Sequence, residues 1–170
     1  MTFEQASTYP QSAIISLQSL RDKGQIQPGQ KVLINGAGGS IGTFGVQLAK
    51  YYGAEVTAVN STAKLDMLRS IGADRVIDYT QEDFTTTGET YDVIFDVVGK
   101  LLFSPNDRSL KHDGVYITAN PRVPQMVQGL WTSMRSNKKV IMETASGTIE
   151  DLIFLRELVE AGKIKAVIDR

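Results

Sequence analysis

The sequence contains no cysteine, and His112 is its only histidine. A zinc site needs about three or four ligands drawn from cysteine, histidine and carboxylates, so these absences argue against a metal centre. His112 lies in the polar segment Lys-His-Asp-Gly before an apolar run, so we interpret it as a solvated loop residue rather than a catalytic base. The lack of cysteine also excludes disulfide bonds and is compatible with any redox compartment.

Charge of one sign and long apolar runs are scarce as well. The net charge of -1 gives no electrostatic reason to expect nucleic acid or an anionic membrane surface as a partner. No apolar run approaches the length that spans a membrane. Residues 1–5 lack the basic and apolar regions of a secretory signal, so the cytoplasm is the expected compartment. The 170 residues, 42% apolar and 22% charged, suit one globular domain.

Residues 31–50 contain a short apolar run, a glycine-rich segment and a helical pattern. The apolar run Val32 to Ile34 is too short for a helix and predicts a buried strand, whereas Ile41, Gly45 and Leu48 recur at helical spacing. The glycines between them let the backbone reverse, and they let a phosphate approach the N–H groups at the helix N-terminus. We therefore predict a phosphate-binding turn.

The register of this turn decides which residue has which role. A G-x-G-x-x-G motif that begins at Gly36 fails at Ile41, but Ala37-x-Gly39-x-x-Gly42 fits. Alanine can replace the first glycine if its φ stays below zero, while Gly39 permits close phosphate approach and Gly42 permits close packing of the helix. The motif alone also fits an ordinary turn in an α/β domain that binds no nucleotide.

Strand and helix patterns alternate along the rest of the chain, which predicts a parallel sheet built from βαβ crossovers. Residues 1–9 are expected to be irregular, and residues 121–137 are ambiguous. The capping pattern Thr148-x-x-Asp151 predicts the start of the last helix, which ends at Gly162. The other predicted helices are 10–24, 62–71 and a short one at 104–111, and the strands after the first are 55–60, 75–78, 91–97, 115–118 (after a turn at 113–114), 138–142 and 164–168.

Polar residues follow several of the predicted strands, and ligands bind at the carboxyl ends of parallel strands. Asn60 ends the second strand, where an NAD-preferring site usually carries an acid, and Lys64 follows shortly after. Lys64 could equally be a solvated helix residue, and Tyr79, after the third strand, could be a loop aromatic. For Asp96, at the end of the fourth strand, we favour a cap for the next helix.

Four segments, residues 32–42, 71–79, 91–99 and 158–165, together resemble the zinc-independent, quinone-oxidoreductase-like branch of the medium-chain dehydrogenase/reductase superfamily. The resemblance covers essentially the whole chain. It implies an α/β fold, a Rossmann-type doubly wound parallel sheet with helices on both faces, that binds NADP(H). It also implies an oxidoreductase that transfers hydride from the nicotinamide to a quinone or an α,β-unsaturated carbonyl (enone), with no catalytic side chain in this domain.

The resemblance also implies a set of cofactor-binding residues. These are Ala37, Gly38, Gly39, Ser40, Ile41 and Gly42 at the pyrophosphate, Ser61, Lys64 and Tyr79 around the 2′-phosphate with Asn60 beside them, and Val97, Val98 and Ala119 on the adenine or nicotinamide side. The sequence departs from the family pattern at three positions: Ile15 replaces a frequent threonine, Asn120 replaces a common glycine, and Asn60 is unusual. Gln11 stands where zinc-dependent relatives carry a catalytic cysteine, which favours the metal-free branch.

Members of this family are about twice as long. We therefore expect residues 1–170 to form one NAD(P)-binding domain, with a leading helix in residues 1–27, and the GroES-like catalytic lobe to be absent. The resemblance implies a homodimer through the edge strand 138–142 and predicts that the chain alone is inactive. A short-chain dehydrogenase is disfavoured because no tyrosine is followed four residues later by lysine, and a methyltransferase because Asn60 is not an acid. A nucleotide-binding regulatory or structural module without turnover stays open.

Overall fold

The computed structural model describes residues 3–99, 108–120, 138–142 and 146–168. Six strands form one sheet in the order β3-β2-β1-β4-β5-β6, and every neighbouring pair is parallel. The chain order therefore reverses between β1 and β4, which opens a crevice at their carboxyl ends. The strands are β1 Lys31–Asn35, β2 Glu55–Asn60, β3 Arg75–Asp78, β4 Tyr91–Asp96, β5 Leu110–Thr118 and β6 Lys139–Met142.

The described α-helices pack against one face of this sheet. They are α1 Phe3–Leu17, α2 Ser40–Tyr51, α3 Leu65–Ser70 and α4 Ile149–Glu160. Alternation along each apolar strand sends successive side chains to opposite faces, so Val32 joins the helix-covered core and Leu33 the opposite one. Each helix contributes a buried side chain to the first core: Leu17, Phe44, Leu68 and Leu155.

The opposite face forms a second, smaller core around Leu33 and Ile94. Phe84, which is buried, closes part of it from a 3₁₀ turn, Phe84–Thr86. Residues 104–107 and 121–137, which contain the other predicted or ambiguous helices, lie outside the described residues. The predicted fold class is confirmed by the parallel, doubly wound sheet.

The first helix begins earlier than the sequence predicts. It starts at Phe3 and contains Pro10, although proline lacks the N–H group that a helix interior uses. Packing offsets that loss: the Tyr9 ring lies 5.0 Å from the Phe44 ring, and Ala13 is fully buried. After Leu17 the chain continues as a π-helix, Gln18–Lys23, up to the predicted end at Gly24.

The fifth strand is longer than predicted and replaces the expected turn at residues 113–114. Tyr91 pairs with Leu110 and Val93 with Val115, so the register shifts between these pairs and the intervening residues of β5 form a bulge. Leu110 is buried, which draws the chain into the sheet before the bulge. Residues 110–111 are therefore strand rather than the end of a helix.

Residues 164–168 do not form the predicted last strand. The N–H of Lys165 donates to Oε1 of Gln47 at 2.9 Å, and Nε2 of Gln47 donates to the Lys165 carbonyl at 3.0 Å. One side chain of α2 thus satisfies the backbone groups that a neighbouring strand would otherwise bind. Ile164 is buried nearby, which accounts for the apolar pattern without a strand.

The predicted start of the last helix is confirmed. Thr148 Oγ1 accepts the N–H of Asp151 at 3.2 Å, and the Asp151 carboxylate accepts the N–H of Thr148 at 3.4 Å. No helix within the described ranges is long and apolar enough to cross a bilayer.

Candidate functional site

The glycine-rich turn connects β1 to α2 at the carboxyl edge of the sheet. Gly36 has φ +82°, a conformation that L side chains rarely adopt, whereas Ala37 is not among the residues with positive φ. The predicted condition on Ala37 is therefore confirmed. The N–H groups of Gly36 and Ala37 both donate to the Val59 carbonyl at 3.1 Å, which fastens the turn to β2.

Gly42 and Gly39 are glycines for different reasons. A Cβ atom on Gly42 would lie 2.5 Å from the Cα of Ala37, so α2 packs directly on the backbone of the turn. A Cβ atom on Gly39 would meet only the Gly36 carbonyl oxygen, at 3.6 Å, and its φ of -84° suits any residue. Nothing in the described protein requires glycine at position 39, so this open space is suited to a ligand.

The N-terminus of α2 faces this space. The first helical hydrogen bond runs from Thr43 N–H to the Gly39 carbonyl at 2.9 Å, so the N–H groups of Ser40, Ile41 and Gly42 precede the helical ladder. The first turn of α2 contains no acidic residue. Unpaired N–H groups and the helix dipole together favour an anion such as a phosphate.

A pocket of about 390 Å³ lies beside the turn. It brings together four of the predicted site residues: Gly38, Gly39, Ser40 and Lys64. A Cβ atom on Gly38 would lie 2.7 Å from Nδ2 of Asn60 and 3.0 Å from Cγ of Lys64, so both side chains lie against the turn. The remaining lining residues are Thr43, Ala63, Met67, Val167 and Ile168.

Asn60 and Ser61 stand at the end of β2; neither lines the pocket, but Asn60 lies against Gly38 of the glycine-rich turn. Oδ1 of Asn60 accepts the N–H of Ser61 at 2.8 Å, which leaves its Nδ2 group directed toward Gly38. The Ser61 carbonyl accepts the N–H of Lys64 at 3.0 Å and starts the 3₁₀ turn Thr62–Lys64. Lys64 is thereby held one turn from the end of β2.

The neighbouring strand β3 ends in a carboxylate, that of Asp78, which pairs in register with Asn60. It accepts hydrogen bonds from the hydroxyls of Thr62 and Thr80 and from the N–H of Thr80. These hydrogen bonds, the one from Thr62 first, hold the pKa of the Asp78 carboxyl below its usual value. The carboxylate is thus bound to local donors.

Nine of the predicted site residues do not line the pocket, and Tyr79 and Ile41 are two of them. Tyr79 is 63% exposed in the turn after β3, and its N–H donates to the Asn60 carbonyl at 3.2 Å. The Ile41 side chain packs against the core, and its carbonyl accepts the Ser16 hydroxyl at 2.7 Å. Ile41 can therefore contribute to an anion site only through its backbone.

Val97, Val98 and Ala119 lie at the other side of the crevice, after β4 and β5, and all three are half-buried. The Val97 N–H donates to the Asn35 carbonyl, and the Ala119 N–H donates to the Asp96 carbonyl, both at 3.0 Å. The two turns are thus fastened to neighbouring strands.

Asp96 is fully buried at the centre of this wall. Its Oδ1 accepts Nδ2 of Asn35 at 2.9 Å and the N–H groups of Val98 and Gly99 at 3.1 Å, and its Oδ2 accepts the Tyr116 hydroxyl at 2.7 Å. The N–H groups of Val98 and Gly99 belong to the turn after β4, and residues 100–107, which precede any following helix, lie outside the described residues, so the predicted helix cap stays a prediction. The bonds to β1 and β5 join residues that sequence spacing does not relate.

The structure also describes the positions that depart from the family pattern and Gln11. Ile15 is half-buried against the core, Gln11 is exposed, and Asn120 is exposed beyond β5. A Cβ atom on Gly99, whose φ is +66°, would collide with the Asn120 carbonyl. The turns after β4 and β5 are therefore in close contact.

The described residues do not fit a zinc site. Within those ranges, no group of three or more histidine, cysteine, aspartate or glutamate side chains could hold a metal ion. The His112 side chain is 80% exposed and lies 3.2 Å from Asp113. It is solvated as predicted, although it belongs to β5 rather than to a loop.

A parallel sheet that reverses between β1 and β4, with a glycine-rich turn at that point, defines a Rossmann-type dinucleotide-binding domain. A family model described as zinc-binding dehydrogenase matches residues 71–170. The chain belongs to this family, within the medium-chain dehydrogenase/reductase superfamily, and corresponds to its cofactor-binding region.

Two named relatives support this assignment. The chain is 35% identical to the chloroplastic quinone-oxidoreductase QR1 of Triphysaria versicolor, over 84% of this chain and 45% of that protein. It is 34% identical to the chloroplastic NADPH-dependent alkenal/one oxidoreductase of Arabidopsis thaliana, over 85% of this chain and 34% of that protein. The chain thus spans less than half the length of these relatives.

The structure of the quinone oxidoreductase from Coxiella burnetii is also similar. It superposes with a TM-score of 0.88 at 26% identity, and the match covers 100% of this chain and 53% of that one. The similarity therefore extends over the whole described fold.

Sequence reasoning missed five of the pocket-lining residues. Thr43 stands three positions after Ser40 on the same helix, and Ala63 and Met67 stand four apart around Lys64, so helical spacing could have found them. Val167 and Ile168 carry no such signal, because only the packing of residues 164–168 on α2 brings them to the pocket.

Proposed function

We propose that the chain binds NADPH and serves as the cofactor domain of an oxidoreductase that reduces a quinone or an α,β-unsaturated carbonyl. One observation carries the proposal: a single pocket joins the glycine turn at the N-terminus of α2 to Lys64. At the end of β2, Asn60 stands in place of an acid and lies against Gly38 of the same turn. In this proposal the turn binds the pyrophosphate, and the end of β2 binds the adenosine ribose.

The charge of these groups supports NADPH rather than NADH. A carboxylate at position 60 would bind the ribose hydroxyls of NADH and would repel a 2′-phosphate. Asn60 directs an amide donor toward Gly38, and Lys64 adds a cation at the same wall. Hydrogen bonds to a charged group are worth about 1.5–3 kcal/mol. Tyr79 and Ser61 flank this edge and are proposed to add hydroxyl donors.

The nicotinamide supplies the hydride when the cofactor is bound, and the residues of this chain bind and orient it. Val97, Val98 and Ala119 are proposed to line the wall beyond the pyrophosphate. The relatives support the substrate class, because two of them are named as a quinone-oxidoreductase and as an NADPH-dependent alkenal/one oxidoreductase. We assign no catalytic side chain and no metal to the domain.

We propose a homodimer through the exposed edge of β6 and a location in the cytoplasm. The two chloroplastic relatives make the compartment a question for cell fractionation.

Calorimetric titration with NADP⁺, NAD⁺ and adenosine 2′,5′-bisphosphate tests the proposal. We expect NADP⁺ to bind more tightly than NAD⁺, and the bisphosphate to compete with NADP⁺ but not to bind in the presence of saturating NADP⁺. Failure of both dinucleotides to bind would refute the proposed function, and equal binding would refute the preference for the 2′-phosphate.

A further inference from the structure

A buried cluster of polar side chains lies under the wall of the cofactor crevice. Asp96 is 0% exposed and Tyr116 is 3% exposed, and they face each other from β4 and β5 on the side of the sheet that carries the smaller core. Neither was predicted as a site residue from the strand-end pattern, apart from the capping role of Asp96. Their contacts reach three strands and one turn.

We propose that Tyr116 is a positioning residue for the cofactor: through Asp96 it fixes the turn 97–99 against the glycine-rich turn. The inference rests on the proposed binding of a dinucleotide at these turns. It adds a residue that touches no cofactor and acts through a second side chain.

The two carboxylate oxygens of Asp96 bind different partners. Oδ2 accepts the Tyr116 hydroxyl at 2.7 Å, whereas Oδ1 accepts the N–H groups of Val98 and Gly99 and the amide of Asn35. The tyrosine therefore fixes the rotation of the carboxylate about its last bond. Without that donor, the carboxylate would rotate so that the buried Oδ2 approaches the donors that now bind Oδ1. The hydrogen bonds to the N–H groups of Val98 and Gly99 would then be weaker.

The turn that Asp96 holds is in contact with both sides of the crevice. A Cβ atom on Gly36 would lie 2.7 Å from Cγ2 of Val98, so Val98 packs against the first residue of the glycine-rich turn. Gly99 packs against the backbone of Asn120, beyond β5. A displacement of residues 97–99 would therefore move the walls on which both ends of the cofactor are proposed to rest.

We expect removal of the Tyr116 hydroxyl to leave the rest of the sheet intact. The ring belongs to an apolar cluster with Leu33, Ile94 and Leu110, and phenylalanine would fill the same space. The ladder between β4 and β5 uses backbone groups only, and its register includes Ile94 with Tyr116 and Asp96 with Thr118. Tyr116→Phe should thus loosen the turn without unfolding the strands.

The test compares Tyr116→Phe with Tyr91→Phe. Tyr91 is a second buried tyrosine, 2% exposed, at the opposite end of β4. Amide hydrogen exchange without ligand is expected to become about tenfold faster at Val98 and Gly99 in Tyr116→Phe, with no change at Leu33 in β1. The affinity for NADPH is expected to fall about tenfold, as loss of one hydrogen bond to a charged group implies. Tyr91→Phe should change neither quantity.

Unchanged exchange at Val98 and Gly99 would overturn the link through Asp96. Faster exchange across the whole sheet, with a parallel loss of affinity, would show a merely structural role and would also overturn it. If Tyr116→Phe does not fold, Asn35→Ala removes another donor of the same carboxylate and is judged by the same two readouts. A wild type that binds no dinucleotide refutes the proposed function instead, and this outcome is distinguishable because it is seen without any substitution.

Discussion

Gly42 lies so close to Ala37 that a Cβ atom on Gly42 would be 2.5 Å from the Ala37 Cα. Helix α2 therefore rests directly on the backbone of the glycine-rich turn. At Gly39, three residues earlier, the nearest atom would be 3.6 Å from an added Cβ. Gly42 is therefore required for the packing of α2 on the turn, whereas Gly39 leaves space in which a ligand can bind.

We predict that Gly42→Ala destabilises the protein by about 1–3 kcal/mol, since the backbone contact cannot yield to an added methyl group. The gain in helix propensity, about 1 kcal/mol, offsets only part of this loss. Gly39→Ala should leave stability nearly unchanged and weaken NADPH binding, because its methyl group would occupy the open space of the pocket. Urea unfolding and NADPH titration measure both variants. Equal stability of the two variants would contradict the prediction.

The preference for NADPH over NADH is predicted to be about tenfold to a hundredfold, from one charge-assisted hydrogen bond partly screened by water. Lys64→Ala should reduce this ratio, leave NADH affinity unchanged and reduce the dependence of the preference on salt. Lys163→Ala is the matched control, because it removes the same charge from an exposed residue beside a different surface cleft. An unchanged ratio in Lys64→Ala would show that Lys64 is only a solvated helix residue.

Asp151, in α4, forms hydrogen bonds with Gln18 and Arg21 of the π-helix that follows α1. These hydrogen bonds predict that the stability of the protein depends on pH. Burial alone would raise the pKa of its carboxyl, but hydrogen bonds from Arg21, Gln18 and the Thr148 N–H hold that pKa below its usual value. A lowered pKa in the folded state contributes stability that is fully present above the unfolded pKa, about 4, and is lost as the pH falls through the folded value.

Asp151→Asn should therefore cost about 1–3 kcal/mol at neutral pH, and its difference from wild type should shrink as the pH falls below about 4. Asp22→Asn is the control: Asp22 also pairs with Arg21, but its side chain is 45% exposed, so it should matter little at any pH. Chemical unfolding at a series of pH values provides the measurement. A difference that stays constant across that series would refute the role of the Asp151 charge.

β6 is the last strand of the described sheet on the β5 side, as predicted, so its outer N–H and C=O groups can pair with a second copy. We predict a dimer in sedimentation experiments. Successive N–H groups of a strand point to opposite sides, so one of Val140→Pro and Ile141→Pro should break pairing within the sheet and the other pairing between chains. The variant that breaks only the pairing between chains should be monomeric with little loss of stability. A wild type that stays monomeric at high concentration would exclude this dimer.

The chain alone is predicted to show negligible reductase turnover. Hydride transfer requires a substrate held about 3–3.5 Å from the nicotinamide and shielded from water. The matches cover less than half of each of these two relatives, and we expect part of their cleft to come from the additional length. NADPH oxidation with a simple quinone measures turnover, with a chain that also carries a catalytic lobe as the positive control. A kcat near ~1 per second for the 170 residues alone would contradict the prediction.

Local patterns predicted most of the sheet correctly. The apolar runs of β1, β2 and β4 are bounded by turn residues, and α4 carries its own capping pair, so neighbouring residues contain the relevant information. The predictions that failed depend on distant partners. Pro10 stays inside α1 because Tyr9 packs on Phe44, and Leu110 extends β5 because it is buried beside β4.

The sequence by itself determined the parallel α/β fold, the register of the glycine-rich turn and the absence of an acid after β2, because each depends on periodicity or on residue type at fixed spacing. Only the tertiary structure decided that Val167 and Ile168 close the pocket, that Gln47 replaces a strand for residues 164–168, and that Asp96 joins β1, β5 and the turn after β4. The physical reason is that buried polar groups must find a partner, and packing places that partner far away in the chain.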